Sequence, residues 1–334
     1  MAQIIAMPGA PGAVREYAGT IVFSQFDATS ARWSLAVRRA DAAQVELVPV
    51  ATSAMPFDAD IGPDSNGRPA LIYQRCAHMT VAPQGCDLFV LGLDAAAGEH
   101  AVRNANDAHN DDVHPTLWRG QIAWTRVYGR GQNASPVVYT RTLTAPRSRP
   151  STRLPGLPRR RCGDADRVCG PTTDRSVGAL ELWGKNLAMT VRYSCRGCSG
   201  IGQSELRLVD LADRSGWQVA LQVVGLSGQS LIGPSFLAGR LGWYKSCLGD
   251  PSGCRRAAGG PFRYTLATRR YVKGAPGPIR VDGFADAGSR LYELTGCSEE
   301  SEGEFNAACQ IDVVPAPAYV RVPPPTGLTL TDAV

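Results

Sequence analysis

One short pattern returns six times along the chain, and it constrains the fold more than any other feature. The copies are GTIVFSQFD (19–27), GRPALIYQRC (67–76), GQIAWTRVYG (120–129), GKNLAMTVRYSC (184–195), GRLGWYKSC (239–247) and GSRLYELTGC (288–297). Each begins with a glycine. An apolar residue follows, then a small or apolar one, then usually an aromatic. The alternation that continues is that of a buried strand leaving a hairpin. Spacing at about fifty residues is the mark of a repeat architecture.

Each copy has companions. A strand comes before it: AVREYAG (13–19), the more polar FDADIGPDSNG (57–67), DDVHPTLWRG (111–120), ALELWG (179–184), IGPSFLAG (232–239) and VDGFADAG (281–288). A third, strongly alternating strand comes after: RWSLAVRRAD (32–41), CDLFVLGLD (86–94), PVVYTRTLT (136–144), SELRLVDLAD (204–213), FRYTLATRR (262–270) and CQIDVVPA (309–316). A weaker fourth closes most units, as QVELVPVA (44–51), EHAVRNAN (99–106), WQVALQVVG (217–225) and AYVRV (318–322). A lone four-stranded sheet buries neither face. Radial stacking covers both and leaves only short edges. The expected fold class is therefore all-β, a six-bladed β-propeller of four-stranded antiparallel blades. Its blades should lie near 12–50, 57–104, 111–158, 175–224, 230–275 and 279–322.

The 334 residues suggest two domains by length alone, but six blades use nearly all of them, so one domain is expected. The segment 145–170 reads as a basic, proline-rich insertion between the third and fourth blades, carrying Arg147, Arg149, Arg153, Arg159, Arg160, Arg161 and Arg167. It suits docking on an acidic partner, or a solvated surface loop. No aromatics are interleaved to stack bases, and a net charge of +5 is modest, so nucleic acid is not expected as a partner.

The 10 cysteines argue for export. They fall into close pairs, Cys76/Cys86, Cys162/Cys169, Cys195/Cys198, Cys247/Cys254 and Cys297/Cys309, as hairpin-tip disulfides would. Such bridges persist in oxidising compartments. A secreted, periplasmic or cell-surface protein is expected. Its export signal would lie outside this sequence, because MAQIIAMPGAPG has no charged n-region followed by an apolar h-region. No apolar run approaches the length of a transmembrane helix. A monomer is expected.

The clearest copy carries a family resemblance. VHPTLWRGQIAW is similar to the P-x-W-S-P-D-G-x-x-I-A-F pattern of TolB-like, WD40-like (PD40) propeller repeats, through Pro115, Trp118, Gly120, Ile122, Ala123 and Trp124. The unit with Pro234, Gly239, Leu241, Gly242 and Trp243 matches more loosely, and Pro63, Asp64 and Gly67 retain part of the family's turn. The resemblance implies a six-bladed propeller whose usual work is binding or scaffolding.

The chemistry-bearing candidates follow from this frame. Asp58, Asp60, Asp112, His114, Glu181 and Asp282, with Glu16, fall on or near the expected innermost strands. They are the candidate binding residues at the channel mouth. His109, Asp111, Asp112 and His114 cluster within six positions, yet no known metal-ligand spacing such as H-E-x-x-H is present. On a regular strand Asp112 and His114 would share a face. Asp58, Asp60, Asp64 and Asn66 offer oxygens to Ca²⁺, but they depart from the EF-hand pattern, and the same residue types build tight turns. Cys195-Arg-Gly-Cys198 has no second C-x-x-C for zinc and no helix to activate it, so a structural bridge is expected. No G-x-S-x-G elbow, P-loop or dinucleotide fingerprint occurs. The expected function is binding to a protein or cell-envelope polymer, with no catalytic residue, metal or cofactor assigned. The alternative is a channel-mouth lactonase, lyase or glycosidase using carboxylates and Ca²⁺.

Overall fold

A computed structural model describes residues 3–6, 13–27, 29–40, 42–78, 84–94, 98–129, 134–146, 148–156, 173–195, 203–213, 218–224, 229–247, 259–297 and 309–323. Among them every regular element is a β-strand. After β1 (Gln3–Ala6), the first blade is β2 (Arg15–Tyr17), β3 (Thr20–Asp27), β4 (Arg32–Arg38) and β5 (Glu46–Leu47). The second is β6 (Ala59–Pro63), β7 (Pro69–His78), β8 (Gln84–Gly92) and β9 (His100–Ala101). The third is β10 (Asp111–Trp118), β11 (Gln121–Tyr128), β12 (Ser135–Thr142) and β13 (Thr152–Arg153). The fourth is β14 (Thr173–Trp183), β15 (Asn186–Cys195), β16 (Gln203–Asp210) and β17 (Gln218–Val224). The fifth is β18 (Gln229–Leu237), β19 (Arg240–Cys247), β20 (Gly260–Thr265) and β21 (Arg270–Gly274). The sixth is β22 (Gly283–Asp286), β23 (Arg290–Thr295) and β24 (Gln310–Pro315), and the last strand is β25 (Tyr319–Arg321). Every sheet is antiparallel, and four of the six are meanders of consecutive strands. Six such sheets are the blades of a β-propeller.

Three details differ from the sequence reading. The sixth blade is closed by β1, which pairs with β24 from Gln3↔Val313 to Ala6↔Gln310. AYVRV, expected to be that closing strand, instead adds β25 to the edge of β21 as a fifth strand of the fifth blade. Alternation alone cannot say which edge a short terminal strand joins. The third difference is in 145–170. Thr152 and Arg153 of that segment pair with Thr140 and Tyr139 as the fourth strand of the third blade. Arg147, Arg159, Arg160, Arg161 and Arg167 lie outside the described residues.

The recurring glycine has a conformational cause. Ala18-Gly19, Arg119-Gly120 and Ala238-Gly239 are two-residue hairpin loops with positive φ at both positions, for example 48° and 74° at Arg119 and Gly120. This is the signature of a type I′ turn, whose twist matches that of the strands it joins.

The chain divides into two compact units, residues 1–156 with 281–316 and residues 157–280 with 317–334. The first contains the first three blades and the sixth. Its core is layered between successive sheets. Val14, Ile21, Phe23, Leu294 and Ile311 pack the sixth blade on the first. Val22, Leu35, Phe57, Leu71 and Tyr73 pack the first on the second. Ala70, Ile72, Leu88, Ile122 and Trp124 pack the second on the third. In the second unit Ala188, Leu206, Leu231, Phe236 and Trp243 join the fourth blade to the fifth.

The aromatic of the repeated pattern anchors its own blade as well. It stacks on the aromatic facing it across the sheet: Tyr73 on Phe89 (6.0 Å), Trp124 on Tyr139 (5.6 Å) and Trp243 on Phe262 (5.8 Å). Pairs of this geometry add about 0.5–1.5 kcal/mol beyond the area they bury.

Two of the expected disulfides are present, Cys76–Cys86 and Cys297–Cys309. The first joins directly facing residues of β7 and β8. Each closes a short loop and by the loop-closure argument is worth roughly 2–3 kcal/mol. Cys247 is disulfide-bonded too. Cys162, Cys169, Cys198 and Cys254 lie outside the described residues, as does the side chain of Cys195.

Candidate functional site

The first strands of blades in the first unit run side by side, β2 beside β6 and β6 beside β10. The carboxylates singled out by sequence are all on or near such strands, but they do different work. Asp60 is 1% exposed. Its Oδ2 accepts from Thr116 Oγ1 (2.8 Å) and from the Leu117 backbone N–H (2.8 Å) on the next blade. Its Oδ1 accepts from its neighbour Ile61 (2.8 Å). Burial pushes this carboxyl up to about 6, although the Arg15 charge and the three hydrogen bonds act to lower it. Asp60 is a tie between blades.

The tie has a reason in the backbone. β10 carries a β-bulge between Val113 and Thr116, which breaks the ladder and opens its register. Asp60 takes up the Leu117 N–H of the strand just beyond the bulge. The second unit repeats the device. β18 is bulged between Ile232 and Ser235, and Glu181 of β14 accepts from the Phe236 N–H (3.5 Å). Glu181 is thus the fourth blade's counterpart of Asp60.

Asp112 braces its own blade. It accepts from Trp124 Nε1 (2.8 Å) and from Arg126 Nε (2.9 Å) at Oδ1, and from the Arg126 guanidinium at Oδ2 (3.1 Å). Arg126 also reaches Asp107 (3.2 Å) and the Ala105 carbonyl. Burial raises the Asp112 carboxyl to about 6, against the pull of Arg126. Glu16 is buried at the end of its hairpin, where it accepts from Gly19 N–H; burial, and the charge of Asp286, raise its pKa.

His114 and Asp58 are a different case. The bulge prevents Asp112 and His114 from sharing a face as a regular strand would have them. His114 has φ = 52° and precedes Pro115. Left-handed backbone is uncommon for histidine and disfavoured before proline, and such a residue costs about 1–3 kcal/mol. The kink turns its imidazole away from Asp112 and toward the second blade. There Nδ1 meets Asp58 Oδ2, and the His114 backbone N–H donates to Gln74 Oε1 (3.1 Å). The side chains of His114 and Asp58 remain 26% and 15% exposed, while those of Asp60 and Asp112 are shut in. With Nδ1–H assigned to the carboxylate, Nε2 keeps its lone pair and has no hydrogen-bond partner among the described residues. A carboxylate-held imidazole with one open nitrogen can accept a hydrogen bond from a ligand O–H or N–H, or take a proton from it.

No family model matches the chain, and no curated protein matches it. Among solved structures it is similar to the β-propeller domain of the Trilobed protease from Pyrococcus furiosus, at 8% identity and TM-score 0.46 over 85% of this chain and 77% of that one. It is similar to Penicillium chrysogenum alpha-L-arabinanase complexed with arabinobiose, at 11% identity and TM-score 0.49 over 94% and 98%. It is similar to Pyrococcus horikoshii acylaminoacyl peptidase, at 10% identity and TM-score 0.44 over 86% and 42%. The chain thus spans less than half the length of that peptidase.

The remaining candidates are dispersed. His109 is exposed in the loop before β10, where its backbone N–H donates to Asp107 (2.9 Å). Asp111 accepts from the Cys86 N–H (3.1 Å). Asp64 holds a turn, accepting from the N–H groups of Asn66 (2.7 Å) and Arg68 (2.9 Å). The oxygens of 58–66 are therefore committed in separate directions. Asp282 is half-buried ahead of β22, its N–H on the Leu294 carbonyl (2.8 Å). Among the described residues no group of three or more His, Cys, Asp or Glu is set to hold a metal ion. Gln74 escaped the sequence reading. It is a glutamine in an alternating strand, and nothing local marks it as the partner of a bulge 40 residues away.

Proposed function

We propose that the chain is an exported binding or scaffold propeller of the TolB-like, WD40-like kind. It engages a protein or polymer of the cell envelope through the surface that carries His114 and Asp58. The observation that supports this is the contrast among the first-strand acids. Asp60, Asp112 and Glu181 satisfy groups inside the fold, whereas His114 and Asp58 keep surface exposed and Nε2 open. Disulfides support the export. The residue resemblance at Pro115–Trp124 supports the family.

A second reading is favoured by one feature. The open Nε2 beside a carboxylate is also the arrangement of a general base, as a channel-mouth lyase or lactonase would need. One experiment separates the two. Full-length protein and His114→Asn are sedimented with purified envelope polymer, and the polymer's chain length is measured afterwards. Asn tolerates the left-handed backbone, so the variant removes the imidazole without adding strain. Binding should be saturable and weaken about tenfold or more in the variant, with the polymer unchanged in length. Depolymerisation by wild type that the variant lacks would establish the enzyme reading instead. Equal binding by both proteins would place the site elsewhere.

A further inference from the structure

Arg192 lies on β15, in the second unit. An arginine keeps its charge at any ordinary pH, so it cannot escape burial by losing a proton, as an acid or a lysine can. Buried charges are accordingly paired. Arg192 is not. Its Nε is shut off from solvent and makes no hydrogen bond. No carboxylate among the described residues pairs with it, and burial alone acts on its pKa, lowering it.

The blade's own geometry explains the missing partner. Glu205 is fully buried and its carboxylate receives Arg207 Nε (2.9 Å) and Tyr193 (3.4 Å). But Glu205 faces Val191 in register, so it stands on the opposite face of the sheet from Arg192. On Arg192's own face the register neighbours are Ser176 and Ser204. Ser204 is spoken for by the Leu231 N–H (3.3 Å), whereas Ser176 is exposed and leaves that side open to solvent. Gly178 sits at the bulge of β14, between Val177 and Ala179. A Cβ there would stand 3.5 Å from Arg192 Nε and 3.7 Å from Cζ, and 3.0 Å from Thr190 Oγ1. The chain thus keeps a residue without a side chain against the guanidinium and places hydroxyls around it.

We propose that Arg192, with the exposed Ser176 facing it across the ladder, is an oxyanion-binding position that receives a carboxylate or phosphate group of a ligand. A planar guanidinium fork suits both groups. The site is independent of His114 and Asp58 and stands whether that surface binds or catalyses.

The test uses the full chain. Thermal unfolding and calorimetric titration are run with acetate, glucuronate, inorganic phosphate and sulfate, each against chloride at equal ionic strength. The expected result is a saturable rise in Tm with at least one oxyanion. The carboxylate and phosphate arms identify which group the site takes. Arg192→Met should bind that anion about tenfold or more weakly, and Arg192→Lys should fall between. In the absence of anion, Arg192→Met should unfold no lower than wild type, because an Nε–H buried without a hydrogen-bond partner is gone. No saturable shift in wild type with any of the four anions would overturn the proposal. So would an equal shift in Arg192→Met.

Discussion

Gly62→Ala is expected to cost about 3 kcal/mol or more and to lower the urea midpoint of unfolding accordingly. The first strands of the second and third blades approach so closely that a Cβ at residue 62 would lie 2.1 Å from the Leu117 carbonyl oxygen. That atom is backbone and cannot swing aside. Relief requires β6 and β10 to separate, which also stretches the Asp60 bonds to Thr116 and Leu117. Gly67, five residues on, is the control. Its φ of 81° disfavours a side chain, but nothing lies within 4 Å of the added atom. Gly67→Ala should cost only about 1 kcal/mol, the strain of the left-handed backbone. Equal losses at the two glycines would mean that strand contact is not what excludes a side chain at Gly62.

Trp124→Ala should be at least as damaging, at about 3–5 kcal/mol. Trp124 is fully buried, packs the second blade on the third, stacks on Tyr139 and donates Nε1–H to Asp112. Trp124→Phe separates these roles. It keeps most of the buried area and the stacking but leaves Asp112 one donor short, at a cost of about 1–2 kcal/mol. Denaturant unfolding of the two variants measures the difference. A phenylalanine variant as unstable as the alanine one would place the stabilisation in the hydrogen bond instead of the packing.

These two residues mark how much the sequence could disclose. Trp124 was visible because its role is periodic. The turn glycine and the apolar step return in every blade and the aromatic in all but the fourth, so six weak signals reinforce one another into a fold. Gly62 was visible as a glycine but not as a contact, because the atom it avoids belongs to a strand 55 residues later. The acids divide along the same line. Nothing within DADIGPD distinguishes Asp58 from Asp60, which stand two positions apart on one strand pattern. The distinction arises at β10, where a bulge sets His114 at φ = 52° and, beyond it, the free edge of the strand offers the Leu117 N–H to Asp60. Periodicity assumes a regular strand, so it put Asp112 and His114 on one face. The edge joined by AYVRV was lost for a related reason, since a strand that short carries no register of its own.

The central division is between acids that hold blades together and acids that face outward. It is tested most directly by equilibrium urea unfolding of Asp60→Ala and Asp58→Asn side by side at pH 7. Asp60→Ala strands the Leu117 and Ile61 N–H groups and the Thr116 hydroxyl in a buried place, and should lose about 3 kcal/mol. Asp58→Asn touches a pair that keeps exposed surface and should stay within about 1 kcal/mol of wild type. An Asp58→Asn variant as unstable as Asp60→Ala, or an Asp60→Ala variant as stable as wild type, would contradict the assignment of structural and ligand-facing roles.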